Sequence, residues 1–147
     1  MPWAPNSLQS IALQKAGSFL HLSNSARPGV VCVLRIGNRD FTGQSSSQDR
    51  DMHPDVEQIY NEIPDVYRGV NNGRCAEADA LSKALYGGIN RIALRDAECQ
   101  AVNVNKSALV PPCQSCTQIL RRLSIRYIGD VDFNPVLAEI AASGPRE

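Results

Sequence analysis

Two short stretches constrain this chain more than anything else in it. One is Cys75-Ala76-Glu77, at the head of an alanine-rich segment. The other is Pro111-Pro112-Cys113-Gln114-Ser115-Cys116. Together they offer three thiols and one carboxylate, and any fold the chain adopts has to account for them. Cys113 and Cys116 are three residues apart, a spacing that puts both sulfurs on one face of a helical first turn. Cys75 stands at the start of its own helix. Helix starts present unpaired N–H groups and a positive dipole end, which favours thiolate, the form that binds metal. The expectation is that Cys75, Cys113 and Cys116 meet at a single zinc ion.

Three protein ligands leave a tetrahedral zinc one open position for water, as hydrolysis requires. Glu77 is then free to move protons. A cysteine or histidine, then x-Glu, followed downstream by Pro-Cys-x-x-Cys is the signature of zinc deaminases, in which the glutamate is the proton shuttle rather than a ligand. Other readings remain open. A lone Cys-x-x-Cys also occurs as a redox pair, which leaves the Cys-Ala-Glu triplet unexplained. A structural zinc closed by Cys99 as fourth thiolate would leave Glu77 idle. Coincidental spacing is the remaining possibility.

The other two of the five cysteines, Cys32 and Cys99, fall in strand-like surroundings and read as buried free thiols. An odd count without a disulfide-like spacing suits a reducing compartment. At 147 residues the chain is expected to form one domain, residues 1–147, with a single core. No apolar run approaches a membrane span, and the start lacks the features of a secretory signal. Met1-Pro2-Trp3-Ala4-Pro5 looks like the cut edge of a longer protein.

Net charge is zero, which argues against wholesale coating of nucleic acid. The distribution is uneven. Asp49 to Asp65 holds six acids and one base, whereas Arg68 to Arg126 holds nine bases and four acids. A basic neighbourhood around the motifs suits phosphates, and solvated helix faces would look the same.

Hydrophobic periodicity predicts a first helix over Ser7–Leu22, weakened by Gly17. Strands follow at Val30–Ile36 and Arg39–Thr42, with an exposed serine loop over Gly43–Gln48. A short helix begins at His53-Pro54-Asp55, with Val56, Ile59 and Tyr60 on one side, and ends at Pro64. Asp65–Arg74 is a loop leading into the first motif, which makes it a candidate pocket wall. Asn71, Asn72, Tyr67 and Ala76 are the candidate substrate contacts, although Asn-Gly is equally ordinary turn chemistry. Tyr60, Tyr67 and Tyr86 are candidate stacking platforms for bases, with core packing the commoner use of a tyrosine.

Cys75–Tyr86 reads as a helix closed by Gly87-Gly88. Ile89–Leu94 and Cys99–Val104 are strand candidates, and Cys113–Leu123 is the second motif helix. Ser124–Ile128 is a strand, Asp130–Phe133 a further edge, and Pro135–Ala142 a last helix. This alternation predicts an α/β sandwich, a central sheet covered by helices.

The run Gly73–Leu85 with Pro111–Cys116, and the upstream His53-Pro54-Asp55-Val56 followed by Tyr60 and Pro64, resembles the YwqJ-like deaminases of the cytidine deaminase superfamily. The likeness covers about Met52 to Leu123 and departs from the family pattern at Ala78, where proline is expected. It implies a cytidine deaminase-like fold, with a central mixed sheet and both zinc-motif helices on one face. It also implies Cys75, Cys113 and Cys116 as zinc ligands and Glu77 as catalytic shuttle. Members of that family are mostly C-terminal toxin domains of larger secreted bacterial proteins. They act in the cytoplasm of a competitor cell and are neutralised by an immunity protein. Some similar toxins deaminate cytosine in single-stranded DNA, and the expected substrate here follows from them. RNA, a free nucleoside, or a zinc-binding module without turnover are the alternatives.

Overall fold

The computed structural model describes residues 4–47, 51–64, 66 and 73–129. Its order is α1 (Leu8–Gly17), β1 (Val30–Ile36), β2 (Arg39–Gln44), α2 (Pro54–Asn61), α3 (Ala76–Tyr86), β3 (Glu98–Asn103), β4 (Ala108–Val110), α4 (Gln114–Leu123) and β5 (Arg126–Tyr127). The strands form one sheet in the order β2-β1-β3-β4, antiparallel throughout. β5 pairs with β3 in parallel at Glu98 and Cys99, while β4 takes the same edge of β3 higher up, at Ala101 to Asn103.

The central strands are buried on both faces, and their side chains alternate between two layers. Val31 and Val33 of β1, with Val102 and Val104, pack against Leu8, Ala12 and Ala16 of α1. Cys32 and Leu34, with Cys99 and Ala101, face the opposite way into a larger cluster built by α2, α3 and α4. Both motif helices therefore lie on one face of the sheet, with α1 on the other. This is why Val30–Leu34 reads as an unbroken apolar run rather than an alternating one.

The alanines of α3 are explained by proximity. Ala76, Ala78, Ala80 and Ala84 are all buried, and β2 passes so close that a side chain at Gly43 has no room. A Cβ there would stand 2.3 Å from both the Ala76 carbonyl oxygen and the Ala80 nitrogen. Two further ties hold the pair: the Gln44 N–H donates to Asp79 at 3.0 Å, and Lys83 donates to the Thr42 carbonyl at 2.9 Å. Gly43→Ala is expected to destabilise the protein by about 3 kcal/mol, because backbone on both sides has to move. A urea midpoint equal to that of the parent would contradict this packing. The same substitution displaces Ala76, and with it the head of the first motif.

Several expectations need correction. α1 stops at Gly17; Phe19 and Leu20 lie in turns beyond it, where the Ser18 hydroxyl donates to the Lys15 carbonyl and the helical pattern ends. Gly43 and Gln44 belong to β2 rather than to the serine loop. Ile89–Leu94 is not a strand. It contains a short 3-10 turn over Ile92–Leu94, opened by Asn90, whose side-chain oxygen accepts from the Ala93 N–H at 2.9 Å. That asparagine turn competes with extended backbone, and the free edge of β3 is taken by β4 and β5. Expectations for Asp130–Phe133 and Pro135–Ala142 lie outside the described residues. Among the described residues no helix is long and apolar enough to cross a membrane.

Candidate metal centre

Each motif places a cysteine at a helix N-cap, where serine, threonine or aspartate is usual. Cys75 caps α3 and Cys113 caps α4, both in extended backbone. Cys113 Sγ accepts from the Cys116 N–H at 3.4 Å, as a capping oxygen would. Cys75 makes no such bond and turns its sulfur across to Cys113, 3.2 Å away. Cys116 sits on the third residue of α4 and is fully buried. Pro111 and Pro112 precede the cap and deliver the chain to it from β4.

The three sulfurs lie within 4.8 Å of one another. A tetrahedral zinc with Zn–S near 2.3 Å needs sulfurs about 3.8 Å apart, so this trio fits with small side-chain movements. The electrostatics fit as well. The thiols of Cys116 and Cys75 hold Cys113 well below the usual thiol range, so it carries the first negative charge. Cys75 is pushed up, first by its hydrogen bond to Cys113, and Cys116 is pushed up, first by burial. Three thiolates, two of them buried, cannot share this space without a cation among them.

Tyr60 provides an outer contact to this group. Its ring is completely buried, and its hydroxyl lies 3.0 Å from Cys116 Sγ. Burial, with the neighbouring Cys116, pushes the phenol's pKa up, so the hydroxyl keeps its proton and is the donor to a Cys116 thiolate. Tyr60 is therefore not a stacking platform. Tyr60→Phe keeps the packing and removes only this bond. It is expected to weaken zinc binding by about tenfold in a chelator competition, the range seen for outer partners of metal ligands. Unchanged affinity would make the contact incidental.

Glu77, on the second residue of α3, is 5% exposed. Burial chiefly, and then the Cys113 charge, raise its pKa to about 7, against a lowering by its own backbone N–H and by Cys116. A carboxyl group so tuned can both take and give a proton near neutrality. Glu77, Cys75, Ala76 and Cys113 all line one cavity of about 230 Å³, whose other walls include Val30, Val110 and Pro111. Of the candidate substrate contacts, Ala76 is thus at the cavity, and Tyr67, Asn71 and Asn72 lie outside the described residues. Tyr86, 67% exposed, is at the far end of α3, about 16 Å of helix from Cys75, and rests against the His53 ring at 4.8 Å. His53 itself is the cap of α2, accepting from the Asp55 N–H.

The loop expected as a pocket wall reaches the cavity at Arg74, whereas the wall residue Ser45 was missed by sequence reading. The serine loop is anchored rather than loose. The Val30 N–H donates to the Ser45 hydroxyl at 2.9 Å, the Ser46 N–H donates to the Arg74 carbonyl at 3.0 Å, and Arg74 donates to the Ser47 carbonyl. A polar run beside two strands carries no signal of such anchoring. Four cations of the basic stretch have a defined setting. Lys83, Arg122 and Arg126 pair with Asp79, Glu62 and Glu98 on the surface, and Arg74 borders the cavity.

Cys32 and Cys99 are buried free thiols, as expected, with sulfurs 3.7 Å apart. Cys99 is not part of the metal-competent trio, and among the described residues no fourth ligand joins it. No protein-family model matches the chain, and no curated protein shows a significant sequence match.

Proposed function

We propose that the chain is a zinc-dependent hydrolytic deaminase that converts cytosine to uracil in single-stranded DNA. The observation that carries this reading is that the buried Glu77 carboxyl shares one small cavity with Cys75 and Cys113. A purely structural site has no use for a proton-transfer group beside its sulfurs. Zinc, when bound, supplies Lewis acidity and lowers the pKa of a water molecule toward about 7. Glu77 accepts a proton from the attacking water and passes it to ring N3 of the base, then takes the proton of the new C4 hydroxyl and passes it to the amine as the C–N bond breaks. Cytosine and water thereby become uracil and ammonia. The apolar walls from Val30, Val110 and Pro111 hold the flat base and exclude bulk water.

Assignment to the YwqJ-like group and to a cytidine deaminase-like sandwich is supported by the motif residues and by the two motif helices sharing a sheet face. The cytosine preference rests on that resemblance. So does the biological setting: a toxin domain of a larger secreted effector, active in the target cell's cytoplasm and held in check by an immunity protein.

The test is incubation of zinc-loaded protein with single-stranded DNA, duplex DNA, RNA and free cytidine, reading uracil or uridine formed. Single-stranded DNA is expected to react fastest. Duplex is expected to lag, since unstacking a base costs a few kcal/mol, worth about 100-fold in rate. Equal rates on single strand and duplex would exclude this substrate, and no product from any of the four would exclude the reaction.

A further inference from the structure

The cavity that contains Glu77 has a neighbouring groove. Ser45 belongs both to its wall and to the wall of a second, more open groove of about 630 Å³. That groove runs between the turns after α1, with Phe19, Ser25 and Arg27, and the strand end at Gln44, Ser45 and Ser46. Among the described residues no acidic side chain lines it.

Arg27 is held rigidly there. Its Nε donates to the Leu22 carbonyl at 2.8 Å, one Nη to the Leu20 carbonyl at 2.7 Å and the other to Asn105 Oδ1 at 3.1 Å. All three acceptors are neutral, and among the described residues Arg27 has no ion pair. A guanidinium has five N–H donors, so a fixed positive charge and two donors remain for a ligand. Ser45 Oγ accepts from the Val30 N–H, which leaves its own proton for an acceptor at the junction. Half-buried Phe19 adds an aromatic surface.

We propose that this groove carries the backbone of a single-stranded nucleic acid whose target base sits in the cavity, with Arg27 contacting a phosphate and Ser45 marking the passage between the two. The proposal rests on the deaminase reading for the identity of the base. A free nucleoside fills the cavity and leaves the groove unused; a polymer uses both. A fixed cation, hydroxyls and one aromatic surface are what a phosphodiester chain requires. Phosphate contacts of this kind hold the strand in register while the cavity selects the base.

The test measures binding of fluorescently labelled DNA and RNA strands of about 12 nucleotides to zinc-loaded protein, alongside turnover of free cytidine. Two variants are compared: Arg27→Gln removes the charge, and Ser25→Glu adds an opposing one at an exposed position that holds no structural contact beyond a neighbouring serine. Ser25→Glu is expected to weaken strand binding about tenfold, and Arg27→Gln to flatten the log–log salt dependence by about 0.7. Turnover of free cytidine, which has no phosphate for the groove, is expected to stay within about twofold in Ser25→Glu, and the tighter of the DNA and RNA arms identifies the sugar. Strand binding indifferent to Ser25→Glu, or no binding of either strand, overturns the proposal. If no substrate is turned over but strand binding is still lost in Ser25→Glu, the groove stands and the deaminase reading falls.

Discussion

Glu77→Gln is expected to abolish turnover while leaving the zinc and the fold in place. The side chain is buried on the second residue of α3, beside Cys75 and Cys113, and glutamine matches its shape. Glutamine cannot accept a proton from water and return it to a base. General acid–base groups contribute about 10²–10⁴-fold, and this carboxyl has to serve in more than one transfer, so the upper end applies. Glutamine also removes a carboxyl group whose ionisation is opposed by burial and by Cys113, so the variant is not expected to be less stable. Zinc content by atomic absorption, a melting curve and a single-turnover assay together separate the alternatives. An active variant with one zinc per chain would remove Glu77 from the chemistry; a variant that has lost its zinc would make it a contributor to the metal site.

The second large effect is expected at Cys116. Cys116→Ala removes the sulfur that is fully buried, hydrogen-bonded to Tyr60 and grouped with the other two. Zinc is expected to fall from one per chain to near none after dialysis. The loss also destabilises the fold, because a bound metal stabilises by its binding free energy, about 4 kcal/mol when zinc is at a thousand times its Kd. For a chain of this size that corresponds to a melting point lower by about 10 °C. Cys99→Ala is the necessary comparison. Its sulfur faces Cys32 across the sheet interior and stands outside the trio. It is expected to lose about 1 kcal/mol from the small cavity left behind and to keep its zinc. Zinc lost from Cys99→Ala would revive a four-sulfur structural site, and zinc kept in Cys116→Ala would dismiss the ligand assignment.

Much of this site is legible in the primary structure because its parts are local. Cys113 and Cys116 are one helical turn apart, and Glu77 follows Cys75 by two residues, so the helices that carry them also orient them. The strands at Val30–Ile36 and Glu98–Asn103 announce themselves by β-branched and apolar runs, and α3 by its alanines. Other features carry no local mark. Tyr60 looks like any core tyrosine, and only the approach of α2 to α4 makes it a partner of Cys116. The serines after β2 look like an exposed loop, and only the pairing of Ser45 with Val30 brings them to the cavity wall. Ile89–Leu94 has the composition of a strand, but the place it would occupy beside β3 is already filled.

Residue spacing by itself determined the chemical inventory, three sulfurs and one acid on the first turns of two helices, because that information lies within a single turn of backbone. The meeting of Cys75 with Cys113 across 38 residues, the closure of a cavity around Glu77 and the place of Ser45 in its wall were decided by the tertiary structure alone. These depend on how closely α3 approaches β2 at Gly43 and on which edge of β3 each short strand takes. Both are outcomes of packing between segments distant in the chain.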